Sequence, residues 1–145
     1  MRKTSPEEYI DAAIQIYLDI TRLLIEILRI LEAARKNIAA VLNVSAGEIV
    51  FTSGGTEADN LVINSAVRDL GVKRIITTRI EHHAVLHAVK HAAEAFGAQV
   101  AYLPLKSCGT PDEVILEQWL AESEEKTLVS LMHINNEIGS ILNLE

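Results

Sequence analysis

Apolar residues recur at alternating steps of three and four through the first part of the chain: Ile10, Ala13, Tyr17, Ile20, Leu24, Ile27, Leu31, Ala34, Ile38 and Val41. That spacing is a heptad seam, and it predicts one helix from Pro6 to about Leu42. Ser5 is a good N-cap, Pro6 suits the first helical position, and Glu8 completes a capping box. A second apolar row, Ile16, Leu23 and Ile30, leaves the polar residues a narrow stripe through Asp11, Gln15, Asp19, Arg22, Glu26 and Arg29. A helix patterned this way is expected to be covered on most sides, by its own domain or by another copy of the chain.

After Asn43 the period changes. Glu48 to Thr52 reads as a strand, and Thr56 to Leu70 as a helix ended by Gly71. Lys73–Thr78, Gln99–Leu103 and Thr127–Met132 read as three more strands. Helices from about His83 to Phe96, closed by Gly97, and from Pro111 to Glu122 separate them. Strands alternating with helices of this length imply right-handed crossovers. The expected fold is therefore α/β: a mainly parallel four-stranded sheet with flanking helices, preceded by one long N-terminal helix. The organisation expected is residues 1–43 as that helix and 44–145 as the α/β domain.

The chain has 145 residues, nearly half of them apolar, which is enough for one domain with a sizeable core. A net charge of -7 argues against nucleic acid or an anionic membrane as partner, since both select basic surfaces. The apolar stretch Ile10–Leu31 is interrupted by five charged residues, so a membrane span is not expected. Arg2 and Lys3 run directly into a helix start, which is not the pattern of a signal peptide. Cys108 is the single cysteine, which excludes an intramolecular disulfide and a cysteine-based zinc site and fits a cytoplasmic setting.

Three polar clusters fall at the expected carboxyl ends of strands. Ser53-Gly54-Gly55-Thr56 joins a strand to a helix, where glycine lets a ligand approach the backbone and free helix amides favour an anion. Thr56 can cap that helix and offer a hydroxyl to a phosphate. Glu81-His82-His83 follows the second expected strand, and His133-Ile134-Asn135-Asn136-Glu137 the fourth. Ligands of parallel sheets lie beyond that edge. The competing reading is purely local: glycines for a tight turn, His82 as a helix cap, Asn135 and Asn136 as turn formers.

His83, His87 and His91 are spaced by four, which suits a metal, but they lie opposite the stripe Val85, Val89, Ala92 and Phe96, and no carboxylate or thiolate set accompanies them. A solvated face is the expectation, with no metal site. Cys108 lies in a loop with no histidine beside it in sequence, and reads as an ordinary loop cysteine.

Three segments together, Phe51 to Asn60, Glu81 to Leu86 and Met132 to Gly139, resemble cysteine desulfurases of the class-V aminotransferase group, from about Ala34 onward. The resemblance implies a pyridoxal-phosphate fold. It gives Gly55 and Thr56 the cofactor phosphate, His82 the stacking position on the pyridine ring, and Asn136 the ring hydroxyl oxygen. It also implies a parent reaction from L-cysteine to L-alanine that leaves a persulfide on a cysteine. The family's pyridinium-binding Asp, its Schiff-base lysine and its acceptor cysteine have no match in these residues, and Cys108 precedes the motif around Asn136. The family's opening segment is also unmatched, with the regular helix in its place. The expectation is a truncated or engineered fragment of the large domain, inactive alone and binding the cofactor weakly or not at all. It is expected to form a homodimer through the N-terminal helix. The alternatives are one half of a complementing desulfurase, or a scaffold in which the motifs are relics.

Overall fold

The computed structural model describes residues 6–144, so the Ser5 cap lies outside the described residues. The chain divides into two compact units, Met1–Phe51 and Thr52–Glu145.

The first unit is dominated by α1, Pro6–Leu42, with the bounds that the heptad pattern predicts. Its ion pairs are local and exposed, as between Glu26 and Arg29 at 2.8 Å and between Glu32 and Lys36 at 3.5 Å. Such pairs contribute only a few tenths of a kcal/mol each, about 0.3–0.5. Within its unit the helix leaves much of its apolar surface open: Leu24 is 54% exposed and Val41 85%.

The strand expected over Glu48–Thr52 does not form. Ala46–Glu48 is a single 3-10 turn instead. The Glu48 carboxylate accepts from both the Ser45 amide and the Ser45 hydroxyl at 2.7 Å, which fixes that turn. Ile49 is extended, at φ -93° and ψ 119°, but residues 49–52 join no ladder. The run Ile49-Val50-Phe51 favours extended backbone, while pairing takes a neighbouring strand, which no local preference supplies.

The second unit carries a sheet of three parallel strands, not four. They are β1 (Arg74–Thr77), β2 (Gln99–Tyr102) and β3 (Thr127–Val129), in spatial order β2-β1-β3. Arg74 stands opposite Gln99 on one side and Thr127 on the other. The helices are α2 (Gly55–Arg68), α3 (His83–Phe96) and α4 (Glu113–Ala121). Gly97, at φ +72°, ends α3 in the left-handed conformation that glycine adopts without steric cost. The expected helix start at Pro111 moves to Glu113, because the Asp112 carboxylate takes the N-cap and accepts from the amides of Val114 and Ile115.

The core lies between α2, α3 and β1. Ile63, Ala66 and Val67 of α2 meet Val85, Ala88, Val89 and Ala92 of α3 over Ile75. Alternation along β1 puts Thr77 on the same face as Ile75. Thr77 is wholly buried, and its hydroxyl has no hydrogen-bond partner among the described residues.

Two substitutions test this core in opposite directions. Ile75→Ala is expected to cost about 2–5 kcal/mol in urea unfolding, through lost burial and a residual cavity. Thr77→Val removes an unpaired buried hydroxyl from a similar volume, and is expected to stabilise by about 1 kcal/mol in the same assay.

Candidate functional site

The topology assembles one edge. Helix α2 leads into β1 through the turn at Gly71 and packs over it, so it runs opposite to the strand and its N-terminus lies at the strand's carboxyl end. Helix α3 leaves β1 at that same end, and the parallel strand β3 also finishes there. Gly55, His82 and Asn136 thus share the edge that the sequence assigns to them.

At the start of α2 the first intrahelical bond runs from the Ala58 amide to the Gly54 carbonyl, 3.1 Å, so the amides of Gly55, Thr56 and Glu57 precede the ladder. A Cβ on Gly54 or Gly55 would meet nothing within 4 Å, and neither glycine is in the left-handed region, Gly54 being extended at φ 165°. Neither packing nor backbone conformation accounts for the two glycines, and the space in front of the amides is open. The loop ahead of them is held from one side: the Glu57 carboxylate accepts from the Ser53 amide and hydroxyl, both at 2.6 Å. Those bonds hold the Glu57 carboxyl below its usual range. The Thr56 hydroxyl has no partner among the described residues, while its carbonyl accepts from the Asn60 side chain at 2.8 Å.

His82 is the N-cap of α3, its Nδ1 accepting from the Ala84 amide at 3.1 Å. In the neutral ring the proton therefore sits on Nε2. The cap fixes the ring in place and leaves it exposed.

Two side chains, Glu81 and Asn135, hold this edge together through partners more than fifty residues away. Glu81, buried, accepts through Oε1 from the Thr78 hydroxyl at 2.7 Å and from the Met132 amide at 3.0 Å, tying the exit of β1 to that of β3. Asn135, also buried, donates from Nδ2 to the Ile80 carbonyl at 2.8 Å. Its Oδ1 accepts from the amides of Glu137 and Ile138 at 2.9 and 3.0 Å. The local reading of Asn135 as a turn former describes it correctly, with the added span to Ile80. Asn136 follows at the tip of the turn, exposed. The clue in the sequence was an acidic residue at a strand end that reads as buried on both flanks.

The remaining candidates take no part in these hydrogen bonds, although the His83 ring meets the His82 ring edge to face at 6.4 Å. The His83 and His87 rings stand 6.3 Å apart edge to face, while His91 Nδ1 lies 2.8 Å from Asn64 Oδ1, across to α2. A groove of about 400 Å³ opens between Arg79, His87, Lys90 and Tyr102, with the Arg79 guanidinium 4.3 Å from the Tyr102 ring centre; Gly55, His82 and Asn136 do not line it. Cys108 is exposed, its Sγ 3.1 Å from the Thr110 hydroxyl. Bonding to Thr110, side chain first and then backbone, draws the thiol below its usual range, with the Lys106 ammonium adding to the effect. The next residue, Gly109, has φ +82°, and a Cβ there would sit 3.0 Å from Ile138 Cδ1. The thiol loop thus packs against the turn that carries Asn136.

Comparison with known proteins places this architecture. The family "Aminotransferase class-V" matches residues 4–145, a match that runs through α1 and starts well before Ala34. An IscS-like cysteine desulfurase of Mycobacterium tuberculosis is 42% identical over 119 residues, covering 79% of this chain and 30% of the relative. Cysteine desulfurase IscS of Vibrio cholerae is 44% identical over 115 residues, covering 78% and 28%. Among solved structures, DndA from Streptomyces lividans superposes with a TM-score of 0.69 at 34% identity, over 81% of this chain and 33% of that one. The cysteine desulfurase CsdA from Escherichia coli gives 0.64 at 27% identity, over 99% and 33%. The chain spans about three tenths of the length of the curated relatives it matches.

Two measurements test the edge. Asn135→Ala is expected to lower stability by about 2–3 kcal/mol in chemical unfolding, by stranding the Ile80 carbonyl and two amides. Asn135→Asp keeps the acceptor oxygen and is expected to recover part of that loss. For Cys108, the pH midpoint of iodoacetamide alkylation is expected below that of an unstructured cysteine peptide, since the folded thiol ionises earlier; Thr110→Val moves it upward.

Proposed function

This chain belongs to the class-V aminotransferase family, and from that premise we propose that residues 52–144 form the phosphate- and ring-contacting part of a pyridoxal-phosphate site of cysteine-desulfurase type. The observation that carries the reading is the open ground before α2. Two glycines without a packing or conformational reason face unladdered amides and a free hydroxyl, on the edge that also holds His82 and Asn136. That donor set fits a phosphate: the Gly55 amide and Thr56 hydroxyl donate to it, and the helix dipole adds favourable field. Glu57 keeps its carboxylate turned to Ser53, which ties up the nearest negative charge in the loop.

His82 offers an exposed ring whose rotation is fixed by the Ala84 amide, suited to stacking on a planar heteroaromatic group. The Asn136 amide, at the turn that Asn135 pins, donates to the ring hydroxyl oxygen. The cofactor supplies an electron sink for bonds at an amino acid's α-carbon. The chain's own residues hold and orient it. The proposed reaction of the whole enzyme is conversion of L-cysteine to L-alanine with sulfur passed to a cysteine. No residue of these 145 matches the family's Schiff-base lysine or its acceptor cysteine, so this stretch on its own is proposed to bind without turnover.

Pyridoxal phosphate is expected to co-elute with the chain in gel filtration, by its absorbance, and pyridoxal without phosphate is not. Thr56→Val is expected to weaken binding by about tenfold, the scale of one charge-assisted hydrogen bond. Equal retention of pyridoxal and its phosphate, or no retention at protein concentrations well above the cofactor's, overturns the reading in favour of a scaffold with relic motifs. Sulfide release from cysteine on mixing with a separately expressed chain bearing the lysine and acceptor cysteine would identify the stretch as a complementing half.

A further inference from the structure

The apolar surface of α1 is the largest feature that the cofactor reading leaves unused. Within its unit most of the seam is exposed, from Ile10, at 59%, to Val41, at 85%, with Ala34 half-buried. Both its charge and its side-chain sizes run unevenly along its length, and that unevenness identifies what covers it. We propose that α1 pairs with α1 of a second copy of this chain in antiparallel orientation, Ile10 of one copy against Val41 of the other. The inference is independent of the cofactor reading.

Side-chain volume is the first argument. In antiparallel packing each a position faces a d position of the partner helix. With Ile10 opposite Val41, the layers become Ala13 with Ile38, Tyr17 with Ala34, Ile20 with Leu31, and Leu24 with Ile27, each repeated by symmetry. Both small residues then meet large ones, and the one aromatic on the seam falls opposite an alanine. Parallel pairing sets Ala13 on Ala13, Ala34 on Ala34 and Tyr17 on Tyr17, which leaves voids in two layers and crowding in a third.

Charge is the second argument. The first half of α1 carries Glu7, Glu8, Asp11 and Asp19 against Arg22 alone, whereas the second carries Arg29, Arg35 and Lys36 against Glu26 and Glu32. Parallel pairing lays the acidic halves side by side. Most of these charges lie on the polar stripe away from the seam, so they act at long range: antiparallel pairing lays an acidic half along a net basic one, and it opposes the two helix dipoles. Size permits a stable contact too. A helix of 37 residues is about 55 Å long, and pairing along it buries on the order of 1,400 Å² in total, within the range of about 1,200–2,000 Å² for stable interfaces.

The test uses the full chain with Cys108→Ser, carrying Ile10→Cys or Val41→Cys. Sedimentation is expected to give a dimer that dissociates on dilution. Mild oxidation of the mixed variants is expected to form the disulfide between positions 10 and 41, while neither variant couples to itself, because its own copies lie about 45 Å apart along the pair. Leu24→Glu, at the central layer, is expected to weaken the dimer at least 100-fold with the circular dichroism of the second unit's α/β fold retained. A concentration-independent monomer, self-coupling of Val41→Cys, or an assembly that lacks the 10–41 disulfide each overturns the proposal.

Discussion

The second unit is organised by the burial of a single strand. Among the described strands β1 alone has a neighbour on each side, and three of its four residues, Ile75, Ile76 and Thr77, are wholly buried. Packing α2 and α3 together above it depends on small residues: Ala66 on one helix, Ala84, Ala88 and Ala92 on the other. With alanine at those positions the helix axes approach closely, and Ile63, Val85 and Val89 fill the space over Ile75. Because α2 enters β1 and α3 leaves it, that packing also delivers both helix N-termini to one end of the strand. The functional edge is in this sense a by-product of the core.

That edge then needs a lock, since loops at strand ends otherwise drift. The buried carboxylate of Glu81 and the buried amide of Asn135 provide it, each reaching between the exit of β1 and the segment after β3. Both are polar groups whose burial is offset by several short hydrogen bonds, which makes them specific where apolar contacts are not. The side chains with exposed polar atoms, His82 and Asn136, each follow directly on one of these two anchors. Rigid buried neighbours carrying exposed contacts is the arrangement that a ligand site needs.

What was legible in the sequence follows from the range of the forces involved. Helix bounds at Pro6, Leu42, His83 and Phe96 were readable because periodicity, capping and glycine stops act over a few residues. The placing of Gly55, His82 and Asn136 on one edge was readable because parallel α/β topology leaves few choices. The strand over Glu48–Thr52 was misread because its residue types favour extended backbone, while strand identity depends on a partner far along the chain. Glu48 shows the competition directly, its carboxylate closing a turn onto Ser45. Glu81 and Asn135 were quoted within motifs, but their partners Met132 and Ile80 lie more than fifty residues away, beyond any local rule.

Gly109 links two parts of the molecule that sequence treats separately. Its positive φ suits glycine, and the close approach of Ile138 sets the loop of Cys108 against the turn of Asn136. Bulk added to that thiol, by oxidation or alkylation, arises one residue from this contact. The single thiol of the chain thus lies one residue from a contact with the turn that presents Asn136.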